Sequence, residues 1–324
     1  VPALIAGIDT KAAVSIDLRQ LCDRAGVAFI QAEITGLDPS RQQLQLRDRP
    51  PLHYGLLSLD VGATSRPTAT AGTPIKPLEP ALAFLADQDP DSAVPFRVVG
   101  AGSAGVEVVL ALRHRWPHRP LQLQARPGTP AALERRLLLR AGIELVDSSD
   151  TSPCPRLLCT GSRAPSWLET SGLPVDHDGR VHTAGTLQVE GHEDLFAAGD
   201  CAVLSEAPRP ASGVWAVRAA GPLARNLEAR SRNQPLRAWR PQRLALQLIG
   251  DQTGRAWARR GFWQLGPSRW LWRWKRWIDH RFMEGFRSAG AMDAETPMAC
   301  RGCAAKLPAQ PLEAALQQVG LGGT

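Results

Sequence analysis

Apolar residues along this chain come in short, nearly continuous runs, separated by stretches in which they recur every three or four positions. That alternation predicts buried strands and amphipathic helices in turn, which is the pattern of an α/β fold. Phe96 to Val99 reads as a buried strand that breaks at Gly100-Ala-Gly102-Ser-Ala-Gly105 into an apolar helix, Val106 to Leu112. Leu121 to Ala125 is a second strand after a helix-length gap, as a βαβ unit requires. A helix over Pro130 to Ala141, a strand over Gly142 to Val146 and another over Pro155 to Thr160 follow.

Upstream, Ile16 to Gly26 is amphipathic and ends on a glycine suited to a helix C-terminus, and Val27 to Ile34 reads as a strand. A turn over Leu37 to Arg41 leads into a period-two strand, Gln43 to Leu46. Tyr54 to Val61 is a buried-type strand running into the small-residue turn Gly62-Ala63-Thr64. Pro67 to Pro90, with prolines at 67, 74, 77, 80 and 90, reads as a connector. From Arg180 the text is strand, turn, strand, closing on Leu195-Phe-Ala-Ala-Gly199-Asp200-Cys201, and Ser212 to Arg225 reads as a helix with a serine N-cap. Near the end a hairpin turns at Asp251 to Gly254. Pro267 to Phe282 then reads as a helix with Leu271, Trp274, Ile278 and Phe282 on one face.

The 324 residues can bury a large core and hold more than one domain. At 44% hydrophobic and 21% charged the chain is an ordinary globular one rather than a disordered one. No uncharged apolar run approaches the ~18 residues that span a bilayer, and nothing resembles a signal peptide. Six cysteines are too few for a disulfide scaffold, and only Cys300 and Cys303 have a CxxC spacing, so a reducing cytoplasm is expected and no metal site is.

The organising stretch runs from Phe96 to Glu107. Gly100 permits a tight turn, Gly102 lets a pyrophosphate approach the backbone, and Gly105 lets the helix pack on the strand, while free amides at the helix start face phosphate. A glycine turn that binds nothing is the competing reading. At the end of the next strand, where such folds usually place an acid for the adenosine ribose, stands Arg126, whose guanidinium suits the 2′-phosphate of NADPH.

Taken in order, Gly62-Ala63-Thr64, the glycine turn, Thr160-Gly161 and Gly199-Asp200 resemble the two-dinucleotide-fold flavoproteins of the pyridine nucleotide-disulfide oxidoreductase superfamily. The resemblance implies an α/β fold with two Rossmann-like domains and a small α+β C-terminal segment. It implies FAD and NADPH or NADH as cofactors. It makes Gly62, Ala63, Thr64, Thr160 and Gly161 crossover residues, puts Glu107 with the nicotinamide-binding residues, has Asp200 accept from a flavin ribityl hydroxyl, and puts Gly213 and Val214 at the flavin. A carboxylate is a strong acceptor for such a hydroxyl. Within the superfamily, the Trp-rich end and Cys300-Arg-Gly-Cys303-Ala-Ala-Lys306 resemble the type II NADH-dehydrogenase-like flavoproteins fused ahead of selenide, water dikinase, where Cys303 and Lys306 would be active-site residues of the kinase.

On this reading residues 1–90 open the FAD domain, 91–156 form an inserted NAD(P) domain, 157–230 complete the FAD domain, 231–290 hold the hairpin and Trp-rich helix, and 291–324 begin the kinase. With a single glycine fingerprint, the flavin fingerprint is expected to precede residue 1, and the chain as given is expected to bind FAD poorly. Absence of a CxxC beside the flavin argues against a dithiol relay, so a small-molecule acceptor, a quinone or a selenium species, would take the electrons.

The formal net charge of +7 concentrates late. Six of ten tryptophans lie between Trp257 and Trp277, mixed with Arg255, Arg259, Arg260, Arg269, Arg273, Lys275 and Arg276. An interfacial helix on anionic lipid at the inner membrane face, a nucleic-acid surface and a helix packed on its own domain are the three readings. The last carries most weight, and no nucleic-acid partner is expected. A non-catalytic scaffold that targets the kinase to membranes is the alternative to the enzyme.

Overall fold

The computed structural model describes residues 1–288 apart from Gln252 and Phe262. In chain order the elements that position the sites are the helix α1 (Leu18–Arg24), the strands β1 (Ile34–Asp38), β2 (Gln43–Leu46), β3 (Arg49–His53), β4 (Leu57–Leu59) and β5 (Thr73–Pro74), and the helix α2 (Leu78–Ala86). An alternating series follows: β6 (Phe96–Val99), α3 (Ser103–Arg115), β7 (Leu121–Ala125), α4 (Ala132–Arg140), β8 (Ile143–Asp147) and β9 (Arg156–Leu158). The chain continues through β10 (Leu195–Ala197), a 3-10 turn (Gly199–Cys201), α5 (Gly213–Ser231), β11 (Gln247–Gly250), β12 (Ala256–Arg260), β13 (Trp263–Ser268) and α6 (Arg269–Ser288).

Two compact units emerge. The first is built from three separate pieces, Val1–Ile16, Thr64–Ser162 and Gln242–Ser288. Its centre is a five-stranded parallel sheet in the order β5-β9-β6-β7-β8. β6 is buried along its whole length, as a middle strand of a parallel sheet must be, and so cannot alternate. Phe96, Val98, Leu121, Leu123, Val109 and Leu112 fill the core beneath α3. Ile5, from the opening residues that the sequence boundaries group with a flavin domain, is buried in this same core.

Arg97 is the unexpected member of that strand, 1% exposed. Its guanidinium donates to Gln122 Oε1 at 2.8 and 3.0 Å, to the Asp150 carbonyl at 2.9 Å and to Asp150 Oδ2 at 3.0 Å, and Gln122 passes the network on to Glu144. All three guanidinium nitrogens that burial strips of water are thereby given acceptors.

The second unit comprises Asp17–Ala63 and Arg163–Pro241 among the described residues. It holds the antiparallel meander β1-β2-β3 and a parallel pair of β4 with β10, over a core that includes Leu37, Leu59, Leu168, Val181, Leu195 and Ala197.

Several sequence expectations are corrected. Val27 to Glu33 forms no strand, and pairing begins only at Ile34, where β2 supplies a ladder. The proline-rich connector contains β5 and α2. Pro74 is tolerated because β5 is an edge strand, and Pro80 because it lies in the first helical turn, where a missing N–H costs nothing. The hairpin gains a third strand, β13, which takes up Pro267, so the final helix starts at Arg269 and runs on to Ser288. On that helix Leu271 is buried while Ile278 and Phe282 are 38% and 43% exposed, so only its first half packs as a core face.

Candidate functional site

In the first unit the glycine turn follows the middle strand. Gly100 has φ +109°, and a Cβ there would lie 2.4 Å from the Cys159 carbonyl oxygen at the end of β9. At Gly105 a Cβ would fall 1.8 Å from the Gly100 carbonyl oxygen. Both glycines are therefore demanded by packing. Gly102 differs: a Cβ there meets nothing within 4 Å. It is the N-cap of α3 and, lacking a side chain, caps nothing, while its own carbonyl accepts from Val106 at 3.0 Å. The first amides of α3 consequently have no intrahelical acceptor, beside open space, which is the arrangement a phosphate requires.

The segments after β9 and before β5 run side by side in this unit. The Arg66 N–H donates to the Gly161 carbonyl at 3.0 Å and Thr160 Oγ1 to the Arg66 carbonyl at 3.3 Å, two residues from Thr64. Arg126 is exposed, one residue past β7, whose last residue Ala125 pairs with Asp147. Glu107 faces α6: its Oε1 is shielded from water, accepts no hydrogen bond and lies 3.9 Å from Lys275 Nζ. Burial pushes that carboxyl up, with Lys275 opposing the shift.

In the second unit the parallel register Leu57↔Leu195 to Leu59↔Ala197 sets the ends of β4 and β10 next to each other. Asp60, Val61, Gly62 and Ala63 follow one strand, and Ala198, Gly199 and Asp200 the other. Gly199 has φ +74°, and a Cβ there would lie 2.1 Å from Asp60 Oδ1. The Asp60 carboxyl is pushed up, first by burial and then by the Asp200 charge. Sequence reasoning singled out Asp200 but not Asp60; the available signal was a carboxylate closing the otherwise apolar run Leu56 to Val61, with only Ser58 as a further polar residue. Gly213 and Val214 open α5, and Gly199, Ser212, Trp215 and Ala216 share the wall of a cavity of about 50 Å3. Ser212 occupies the N-cap position, yet its side chain makes no capping bond.

Neither the half-buried Cys159 nor the buried Cys201 is poised as a thiolate. Burial pushes Cys159 up to about 12 and Cys201 to about 11, the latter with Sγ 3.2 Å from the Ala198 carbonyl. Cys303 and Lys306 lie outside the described residues. Among the described residues no cluster of three metal-ligating side chains occurs and no helix is long and apolar enough to cross a membrane.

No protein-family model matches the chain. Over 261 residues it is 26% identical to ferroptosis suppressor protein 1 of Taeniopygia guttata, covering 69% of each chain. The Homo sapiens protein of the same name is 24% identical over 262 residues, covering 68% of each. Among solved structures, the putidaredoxin reductase–putidaredoxin complex matches with a TM-score of 0.64 at 18% identity, over 80% of this chain and 70% of that one. An FAD-dependent pyridine nucleotide-disulphide oxidoreductase from Desulfovibrio vulgaris matches with a TM-score of 0.55 at 16% identity, over 81% and 75%.

The chain shares the α/β, Rossmann-like fold of these oxidoreductase structures. In that fold the parallel five-stranded sheet is the Rossmann-like element, and the strand ends that carry Asp60 and Asp200 belong to the second unit.

Proposed function

We propose that the protein is an FAD-dependent NAD(P)H oxidoreductase that delivers electrons to a small-molecule acceptor. The observation that carries this reading is the contrast within the glycine turn: Gly100 and Gly105 are filled by packing, while Gly102 is open at an uncapped helix start. A purely structural turn has no use for that opening. The relatives and structural neighbours, several of them NAD(P)H oxidoreductases by name, support the same reading.

The amides of Ser103 to Gly105 would hold the nicotinamide pyrophosphate, and Arg126 would pair with a 2′-phosphate, which favours NADPH over NADH. The second unit fits a flavin: Asp60 and Asp200 offer acceptors for sugar hydroxyls beside a glycine that keeps the approach narrow, and α5 opens with uncapped amides at Gly213 and Val214. Bound there, the flavin supplies the two-electron chemistry between nicotinamide and acceptor. Asp200 would orient the ribityl chain there, and the high thiol values of Cys159 and Cys201 keep these two thiols protonated and out of a dithiol relay.

The finer points of the proposal are a quinone or selenium acceptor, fusion to a selenide, water dikinase beginning near residue 291 with Cys303 and Lys306 in its active site, and contact with an anionic membrane surface. Trp270 and Trp277, 68% and 54% exposed among the arginines of α6, support the last of these. To test the central claim, protein purified from its source is loaded with FAD and mixed with NADPH or NADH under argon. Bleaching of the flavin absorbance is expected, faster with NADPH; a spectrum that neither nucleotide changes would overturn the proposal. Salt-sensitive sedimentation with phosphatidylglycerol vesicles, lost in Trp270→Ala/Trp277→Ala, is expected for the membrane contact.

A further inference from the structure

The first unit holds a cavity whose lining shares no residue with the glycine turn. It is a groove of about 490 Å3 formed where the C-terminal ends of α3 and α4 meet the strand β12 and the turn that precedes it. Leu110, Leu137, Trp257 and Pro267 give it an apolar lining, and Leu137 and Trp257 are packed together there at 5% and 6% exposure. The trough continues past Leu137, Arg140, Trp257 and Pro267 into a further 310 Å3 bordered by Arg136 and Leu265. Leu110 and His114 lie seven and eleven residues beyond the start of α3, so the groove spans roughly 10 to 16 Å from the glycine turn along that helix.

Its charge is one-sided. Arg113 is occupied in structural work, donating to the carbonyls of Trp116, Pro117, Arg119, Ala141 and Gly142 at 2.9–3.2 Å. By doing so it neutralises the two helix ends that would otherwise repel an anion. Arg136, Arg140 and Arg255 are exposed, and among the described residues no carboxylate pairs with them. The single acid in the lining, Asp251, turns its Oδ1 to the amides of Thr253 and Arg255 at 2.9 and 3.0 Å. The walls are fixed in advance, because Arg259 of β12 is pinned to Glu134 of α4 and to Gln247 Oε1 at 2.7 and 3.0 Å.

We propose that this groove binds an acyl carboxylate, its chain along Trp257 and Leu137 and its head group on Arg140 and Arg255. An elongated apolar trough selects a chain over a compact body, and a guanidinium rim matches a carboxylate two bonds at a time. The volume lies in the range of small-molecule sites. The inference does not depend on the nicotinamide reading, since its residues and those of the glycine turn are disjoint.

The test is calorimetric titration of the whole protein with laurate below its micelle concentration, with dodecylammonium as the second probe. Saturable binding of one laurate is expected, with no binding of dodecylammonium. Arg140→Gln/Arg255→Gln should weaken laurate about tenfold, the scale of a charge-assisted hydrogen bond lost in part to solvent. Arg273→Gln, on the exposed side of α6, should leave it unchanged. A brominated laurate should quench a fraction of the tryptophan emission that disappears in Trp257→Phe. Equal binding of the two probes, an equal effect of Arg273→Gln, or no laurate binding at all would overturn the assignment.

Discussion

The position that a Cβ on residue 105 would occupy is 1.8 Å from the carbonyl oxygen of Gly100, so the two glycines lock the end of β6 to the start of α3. Gly105→Ala should therefore destabilise the first unit by about 3 kcal/mol or more, since the obstacle is backbone and cannot rotate away. Gly102→Ala meets no atom and should change stability by less than about 0.5 kcal/mol. If the turn binds NADPH, the second variant should nonetheless lose about tenfold in affinity, measured by nucleotide fluorescence titration. Unchanged affinity in a folded Gly102→Ala protein would sink the cofactor role of the turn.

The buried guanidinium of Arg97 sets a second expectation. Arg97→Met leaves Gln122 and Asp150 facing an apolar side chain, and removal of one partner from a buried pair costs about 3–5 kcal/mol, to be read from urea unfolding. Asp150 also predicts a pH dependence. Hydrogen bonds from Ser152, then from Arg97, hold its carboxyl down at about 2. Its contribution is present above the unfolded carboxylate value near ~4 and is lost as pH falls through about 2. The stability gap between the natural protein and Asp150→Asn should accordingly be constant from pH 7 to 5 and close on acidification below that.

Asp60 has the opposite sign. Burial and the Asp200 charge raise its carboxyl above the unfolded value, so the ionised form strains the folded state at neutral pH. Asp60→Asn should raise the melting temperature at pH 7, and the advantage should vanish at pH low enough to protonate both folded and unfolded Asp60. If the carboxylate is a flavin acceptor, the same variant should bind FAD more weakly while being more stable, which separates a functional cost from a structural one.

Alkylation with iodoacetamide at pH 8 should modify Cys22 and Cys154 well before Cys159 and Cys201, as mapped by peptide mass. Both of the latter have their thiol values pushed far above that pH by burial. Rapid labelling of Cys159 in native protein would contradict the packing around Gly100.

The glycine turn, the strand Leu121 to Ala125 and the Gly199-Asp200 strand end were legible because each combines an apolar run with residues that break it. The strand edges elsewhere were not. Val27 to Ile34 has strand composition but no neighbour to pair with until Ile34, and pairing is a property of the tertiary fold. The proline-rich stretch concealed α2 because proline forbids a helix interior but suits its first turn, a distinction of one or two residues. Arg97 reads as polar text in an apolar strand, and only the positions of Gln122 and Asp150, which are 25 and 53 residues away, make it a core residue. Asp60 was hidden likewise, since its neighbour Gly199 arrives by the pairing of β4 with β10.

The assembly of the first unit from three stretches of chain has a bearing on its biosynthesis. On the ribosome the described strands of the second unit are all made once Pro241 has emerged, whereas the first unit must wait for Gln242–Ser288 before the hairpin can pack against α3 and α4. For that interval Leu137 lacks Trp257, and the apolar surface beneath the missing layer is bare. Contacts spanning more than a hundred residues form slowly, and the nascent chain is most exposed to aggregation and to chaperone capture in the time taken to add Gln242–Ser288.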